Sequence, residues 1–223
     1  MQNHIKSLES NHEKKKVFVF DLHDVLFKRS YWDTFKLCCS IKKKFKLFRI
    51  LSNPRCIYTA LKLLGETRVS EAYLVKLAEK HPSFTEYIEK IIDITNAIKP
   101  IPHMFELIKT LKQNGSHVYI FSNIGKKTFE KLNQEYSNLF LQFDGIHYVE
   151  EAHDWLAKPH KNAYQLFLSK FTIDPESMVF IDDKNKNVKA AHALGITAFV
   201  YTSSCQLLKT LQTKNLIFDP HSA

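Results

Sequence analysis

The residues best suited to chemistry are carboxylates, a serine and a lysine spread far apart along the chain: Asp21, Ser122, Lys158 and the pair Asp182-Asp183. A carboxylate acts as a nucleophile when an electrophile is held against it and a cation offsets the anionic charge gathered there. Lys158 is a candidate for that cation, orienting Asp21 and neutralising charge. Ser122 and the backbone N–H groups beside it are candidates for holding the oxygens of a phosphoryl group. Clustered carboxylates also suit a hard cation bound through oxygen, magnesium in particular. Each residue also has an ordinary reading: Asp21, Ser122 and Asp182-Asp183 are helix-capping and turn types, and Lys158-Pro159 reads equally as a surface loop. Chemistry requires a fold that brings them together.

Val17-Phe18-Val19-Phe20 is a short apolar run that ends at Asp21. A run of this length, apolar on both faces, suits a central strand of a parallel sheet. The same pattern predicts strands at His117–Phe121, ending at Ser122, at Gly145–Val149, at Met178–Ile181, ending at Asp182-Asp183, and at Ala198–Tyr201. Helices are predicted over Met104–Gln113, Lys126–Tyr136, Lys161–Phe171 and Asn187–Leu194, with Asn114-Gly115 and Gly195 as stops. Strand and helix alternate through short loops, which predicts an α/β parallel sheet covered on both faces. In such a sheet the C-terminal strand ends converge on one crevice, and all the residues named above follow strands or open helices there.

Between Ser30 and Ile98 the pattern changes. Apolar residues recur at helical spacing, as in Phe35, Leu37, Ile41, Phe45, Phe48, Ile57, Leu61 and Leu64, then Leu74, Leu77, Ile88, Ile91 and Ile92. This reads as a helical insert too long for an ordinary crossover, broken at Asn53-Pro54, Gly65 and His81-Pro82. Lys99-Pro100-Ile101-Pro102 marks the return to the main sheet. The division expected is therefore residues 1–29 and 99–223 as the core and 30–98 as the insert.

Composition fits one core with a small insert: 223 residues, 44% hydrophobic and 25% charged, with few glycines and prolines. No apolar run reaches the roughly 18 residues that span a bilayer. The first sixteen residues are polar, end in three lysines and lack the apolar middle of a secretory signal, so the expectation is a soluble, cytoplasmic protein. Cys38, Cys39, Cys56 and Cys205 fit neither a zinc site nor a redox pair and are expected to be buried, reduced thiols. The formal charge of +9 is concentrated in the stretch from Lys28 to Arg49. No stacking aromatics in a nucleic-acid module accompany it, so nucleic acid is not the expected partner and a solvated helix face is.

Four segments together resemble a known family. Val17–Leu26, VFVFDLHDVL, resembles the first motif of the haloacid dehalogenase superfamily. VYIFSN, ending at Ser122-Asn123, resembles its second motif, AKPH with Lys158 its third, and VFIDDKNKNVKAAHALG with Asp182, Asp183 and Asn187 its fourth. The resemblance runs from about Lys16 to Ser203. It implies a Rossmann-like three-layer α/β/α parallel sheet, with the insert as an α-helical cap subdomain. It implies further that Asp21 takes up a phosphoryl group as an aspartyl-phosphate, that Ser122 and Asn123 bind the phosphoryl oxygens, and that Lys158 neutralises charge between Asp21 and the substrate. Asp21, Asp183 with Asp182, and the backbone carbonyl of His23 would hold Mg2+, and Asn187 would support the loop. The substrate implied is a small phosphorylated molecule.

One position departs from the pattern. The family's phosphatases carry Asp two residues after the nucleophile, to protonate the leaving oxygen and then activate water. Here that residue is His23. Three readings follow: His23 does the acid–base work, since imidazole titrates near neutrality; the chain hydrolyses a halide, which leaves without a proton; or catalysis is weak and the domain binds a ligand or partner. Asp24, one residue further along, is expected to point elsewhere. Tyr31, Trp32 and Lys36 are candidate substrate contacts in the insert, with Trp32 equally suited to packing against the core.

Overall fold

The structure is a computed structural model. It describes residues 16–30, 70–82 and 96–217, with isolated positions between them and a few gaps. The basic stretch Lys42 to Arg49, Cys38, Cys39, Cys56, Tyr31, Lys36 and the expected helices before residue 70 lie outside the described residues.

Five parallel strands form the main sheet: β1 (Val17–Phe20), β4 (His117–Gly125), β5 (Gly145–Val149), β6 (Met178–Asp182) and β7 (Thr197–Val200). Their spatial order is β5-β4-β1-β6-β7. The first strand thus sits in the centre, paired Val17 to His117 on one side and Val17 to Met178 on the other. Side chains alternate across the sheet and split the core in two. Phe18, Phe20, Val118, Ile120, Val179 and Ile181 face one side; Val19, Phe121, Met178, Phe180 and Ala198 face the other. Both faces of β1 are buried, which explains its unbroken apolar run.

Helices α2 (Pro102–Gln113), α3 (Lys126–Phe140) and α6 (Ser204–Thr213) cover the first face, supplying Leu107, Ile108, Leu132 and Leu211 among others. Helices α4 (Lys161–Phe171) and α5 (Asn185–His192) cover the second with Tyr164, Phe167, Val188 and Ala191. The result is the expected three-layer, Rossmann-like sandwich. Helix α6 escaped the sequence reading, although its start is signalled: Ser203 accepts a bond from the Gln206 amide, three residues on. Cys205 lies on the outer side of that helix. It is free and exposed, not buried as expected, because Leu207 and Leu211 form the inward stripe.

Two short strands, β2 (Phe27–Arg29) and β3 (Ile98–Pro100), pair antiparallel where the chain leaves the sheet and where it returns. Phe27 anchors this ribbon, its ring packed against Phe105, Tyr136 and Phe140 with centroids 5.2–5.7 Å away. Between them, helix α1 (Ser70–Lys80) is described, with Ala72, Leu74 and Leu77 buried. Trp32 is 65% exposed, so it is not packed into the core. No helix among the described residues is long and apolar enough to cross a membrane.

Candidate active site

Asp21 follows β1 directly, and its amide still donates to the Ile181 carbonyl at 2.8 Å, so the nucleophile candidate is fixed to the sheet edge. Lys158 reaches it from the loop before α4. Its Nζ lies 3.1 Å from Asp21 Oδ1 and 2.7 Å from Asp182 Oδ2, and donates to the Phe121 carbonyl at 2.6 Å. The ammonium is 1% exposed and also sits over the Phe121 and Phe180 rings. A buried lysine is tolerable only when paired and hydrogen-bonded in this way.

The other residues divide into those that face open space and those that hold their neighbours. A cavity of about 260 Å³ is lined by Asp21, His23, Asp24, Arg29, Ser122, Asn123, Lys158, Lys184 and Asn187, with Ile124 and Thr128. Its size is just below the roughly 300–1,000 Å³ of sites that engulf drug-sized ligands. Asn123 spends both ends of its side-chain amide on the Lys158 backbone, donating at 2.8 Å and accepting at 2.9 Å. It therefore positions the lysine. Asn187 donates to both oxygens of Asp182 at 2.9 and 3.0 Å. Asp182 accepts in addition from the Lys184 amide, so it stands behind Lys158 as a fully engaged partner.

Asp183 differs from Asp182. Its Oδ1 is buried without a hydrogen bond, and Lys184 Nζ is 4.0 Å away. Asp21 Oδ1 likewise accepts no hydrogen bond beyond its ion contact with Lys158. One carboxylate oxygen from each of Asp21, Asp182 and Asp183 falls within 4.8 Å of the others. Oxygen donors this close, two of them with unfilled acceptors, fit a hard divalent cation. Burial pushes the Asp183 carboxyl up to about 6, and the charges of Asp21, Asp182 and Asp24 add to this against Lys184. Bound positive charge would relieve that crowding. Burial also pushes Asp21 upward, yet Lys158, Lys184, His23 and a backbone bond at Leu22 outweigh it and hold the carboxyl below its usual value. Burial lowers the His23 imidazole below its usual value; Asp21 and Asp24 oppose this, while Lys184 and Arg29 reinforce it.

The Asp24 backbone is left-handed, with φ of 58°, and the residue is part of the cavity lining beside Asp21 and His23. The chain turns here, with the Asp24 amide donating to the Phe27 carbonyl; Asp is one of the few side chains that tolerates the turn. Arg29 and Lys184 were not singled out from sequence. Arg29 belongs to a basic run that gave no reason to choose it, while Lys184 directly follows the acidic pair and could have been suspected from that alone.

With this geometry in hand, comparison with known proteins is decisive at the level of family. A profile of the haloacid dehalogenase-like hydrolases matches residues 10–195. The chain belongs to the haloacid dehalogenase-like hydrolase family. Among relatives, it is similar to a sesquiterpene phosphatase of Aspergillus oryzae, 32% identical over 52% of this chain and 60% of that protein. The chain thus spans less than two thirds of the length of the curated relatives it matches. Its fold is similar to that of L-2-haloacid dehalogenase from Xanthobacter autotrophicus (TM-score 0.59, 17% identity, 92% of this chain and 85% of that one). It is also similar to a haloacid dehalogenase family enzyme from Bacteroides thetaiotaomicron solved with magnesium and inorganic phosphate (TM-score 0.56, 18% identity, 84% and 94%).

Proposed function

We propose that this haloacid dehalogenase-like hydrolase is a phosphatase acting on a small phosphorylated molecule, with Asp21 as nucleophile and His23 in the acid–base position. The observation that carries the reading is the buried Asp21–Lys158–Asp182 chain, of which Asp21 and Lys158 line a polar cavity. A buried lysine tied to the nucleophile offers fixed positive charge where anionic charge develops. The unfilled oxygens of Asp21 and Asp183 support a divalent cation, as does the similarity to an enzyme solved with magnesium and phosphate. The relative described as a sesquiterpene phosphatase supports a phosphorylated substrate over a halogenated one.

In the first step a carboxylate oxygen of Asp21 attacks phosphorus, and the bond from phosphorus to the ester oxygen breaks. Ser122 and the backbone amides beside it hold the non-bridging oxygens, and Lys158 keeps the Asp21 carboxylate aimed. The departing oxygen takes its proton from His23, leaving an aspartyl-phosphate. In the second step His23 takes a proton from water, the water oxygen attacks phosphorus, and the bond to Asp21 breaks, releasing phosphate and restoring the carboxylate. Mg2+ held by Asp21, Asp183 and the His23 carbonyl, with Asp182 behind them, would supply positive charge against the phosphoryl oxygens. Asn123 and Asn187 act indirectly, by fixing Lys158 and Asp182.

The test is release of phosphate from p-nitrophenyl phosphate with magnesium, wild type against Asp21→Asn. Sustained turnover lost in the variant is expected. Absence of any Asp21-dependent phosphate release, with chloride or fluoride released from haloacetates, would overturn the reading in favour of a dehalogenase. A histidine is a weaker leaving-group acid than the family's usual Asp arrangement, so aryl phosphates should outrun alkyl phosphates, and His23→Asp should narrow the gap.

A further inference from the structure

Helix α3 begins immediately beyond the end of β4 that carries Ser122, and its first residues pose a capping problem. The N-cap residue is Gly125, which has no side chain, and no side chain of the helix itself bonds its first amides. The free amides of a helix start normally require an acceptor. That acceptor comes from far away in sequence. Glu71, in the first turn of α1, is 4% exposed. It accepts from the Lys127 amide at 3.4 Å, and from the Thr128 amide and hydroxyl at 3.2 Å each. These are the second and third amides of α3, the pair a side chain at the N-cap would serve. The helix dipole favours a carboxylate in this place. The fit is close: a Cβ built on Gly125 would run into the Glu71 side chain. Two further contacts tie the same segment down, Asn96 Nδ2 to the Thr128 carbonyl at 3.1 Å and Lys131 Nζ to Asp93 Oδ1 at 2.9 Å.

What depends on this cap is the end of β4 that carries Ser122. Strands β4 and β5 are paired at Phe121 with His147 and again at Gly125 with Val149, but the register shifts between the two. Sheet pairing on that side therefore does not set the conformation of Ser122, Asn123 and Ile124. This strand end is held at its two sides instead, by the two hydrogen bonds between the Asn123 side chain and the Lys158 backbone and by the start of α3. We propose that Glu71 is a positioning residue for the reaction: by capping α3 from the segment inserted between β2 and β3, it holds the Ser122–Gly125 end of β4 where the phosphoryl group must bind. It also fills the anion-attracting end of α3, which directs a phosphoryl group toward Ser122 and Lys158. The inference rests on the phosphatase reading above.

The experiment compares wild type, Glu71→Gln, Glu71→Ala, Gly125→Ala and the double variant Glu71→Ala/Gly125→Ala. It measures p-nitrophenyl phosphate kinetics, Tm, and amide exchange over residues 122–128. Glu71→Ala should lower kcat/KM by about tenfold or more, with faster exchange confined to that end of β4 and the start of α3. Glu71→Gln keeps the shape and one acceptor oxygen, so it should retain more activity than Glu71→Ala. Gly125→Ala should reproduce the loss by displacing Glu71, and the double variant should be no worse than either single one. A lowered Tm with kcat and KM unchanged in the folded variants would reduce Glu71 to a stabilising cap and overturn the proposal; so would additive losses in the double variant. If wild type shows no Asp21-dependent turnover, the phosphatase reading fails by itself. Exchange then decides the coupling, and unaltered exchange over residues 122–128 in Glu71→Ala overturns it.

Discussion

Replacing Lys158 with Met tests the centre of the site most directly. The side chain is nearly the same length and apolar, so packing against Phe121 and Phe180 is largely kept and the charge alone is removed. The loss has three parts: the 3.1 Å contact with Asp21, the 2.7 Å contact with Asp182 and the 2.6 Å bond to the Phe121 carbonyl. Removing one partner of a buried ion pair costs about 3–5 kcal/mol, because it leaves uncompensated charge. At roughly 2–4 °C per kcal/mol for a chain of this size, Tm should fall by about 6–20 °C. The loss should depend on pH. In the wild-type fold Asp21 lies below its usual value, so its favourable contribution is present above that value and fades as pH falls. In the variant, burial acts without its chief opponent and raises the carboxyl, so the cost is largest at neutrality and shrinks as acid neutralises it. Urea unfolding of both proteins at about pH 7.5 and about pH 5 measures this. Phosphatase activity should fall by roughly 10²–10³. A stability loss under about 1 kcal/mol at neutrality, or one equal at both pH values, would refute the idea that Lys158 balances a buried charge.

Three further outcomes follow from the same geometry. His147 is buried on β5 with neither ring nitrogen bonded, and burial, with Lys170, His153 and Lys158, lowers it to about 4. Stability should therefore be intact above the unfolded value near 6.5 and decline by up to about 3 kcal/mol as pH falls toward 4; His147→Phe should flatten that part of the urea-unfolding pH profile. Asp183→Asn should weaken magnesium binding by isothermal titration calorimetry while stabilising the metal-free protein by about 1 kcal/mol at neutrality, since a raised carboxyl is charged there at a cost; unchanged magnesium affinity would remove Asp183 from the proposed metal set. Arg29 and Lys184 are exposed residues of the cavity lining, while Lys158 is already committed to two carboxylates. Arg29→Ala and Lys184→Ala should each raise KM for a phosphorylated substrate several-fold at low salt, and the effect should shrink in about 0.5 M salt.

Much of the fold could be read directly from residue order. The apolar runs ending at Asp21 and at Asp182 were visible because strands buried on both faces need no polar alternation, and each run ends where the sheet does. Strand-helix alternation then implied a shared crevice. The β2–β3 ribbon was not visible: three residues per strand carry no period, and Phe27-Lys28-Arg29 pairs with a segment about seventy residues away. The far end of β4 was also missed, because Ser122-Asn123 reads as a helix start while the chain continues in extended form to Gly125.

Four motif segments carried the resemblance to the family, and residue order by itself predicted the parallel sheet and which side chains meet at its edge, because hydrophobic periodicity and strand-end position are local properties written along the chain. The division of labour among those side chains was decided only by tertiary structure. Two adjacent aspartates look alike in sequence, yet Asp182 is saturated by Lys158, Asn187 and a backbone amide while Asp183 keeps an unfilled oxygen. Asn123 looks like any polar residue after a strand until its side-chain amide is seen bonded to the Lys158 backbone. Asp24 joins the cavity lining at a left-handed turn, and Glu71 caps a helix that begins more than fifty residues later. Hydrogen-bond saturation and charge pairing depend on distances between parts of the chain that have no fixed separation until the fold brings them together.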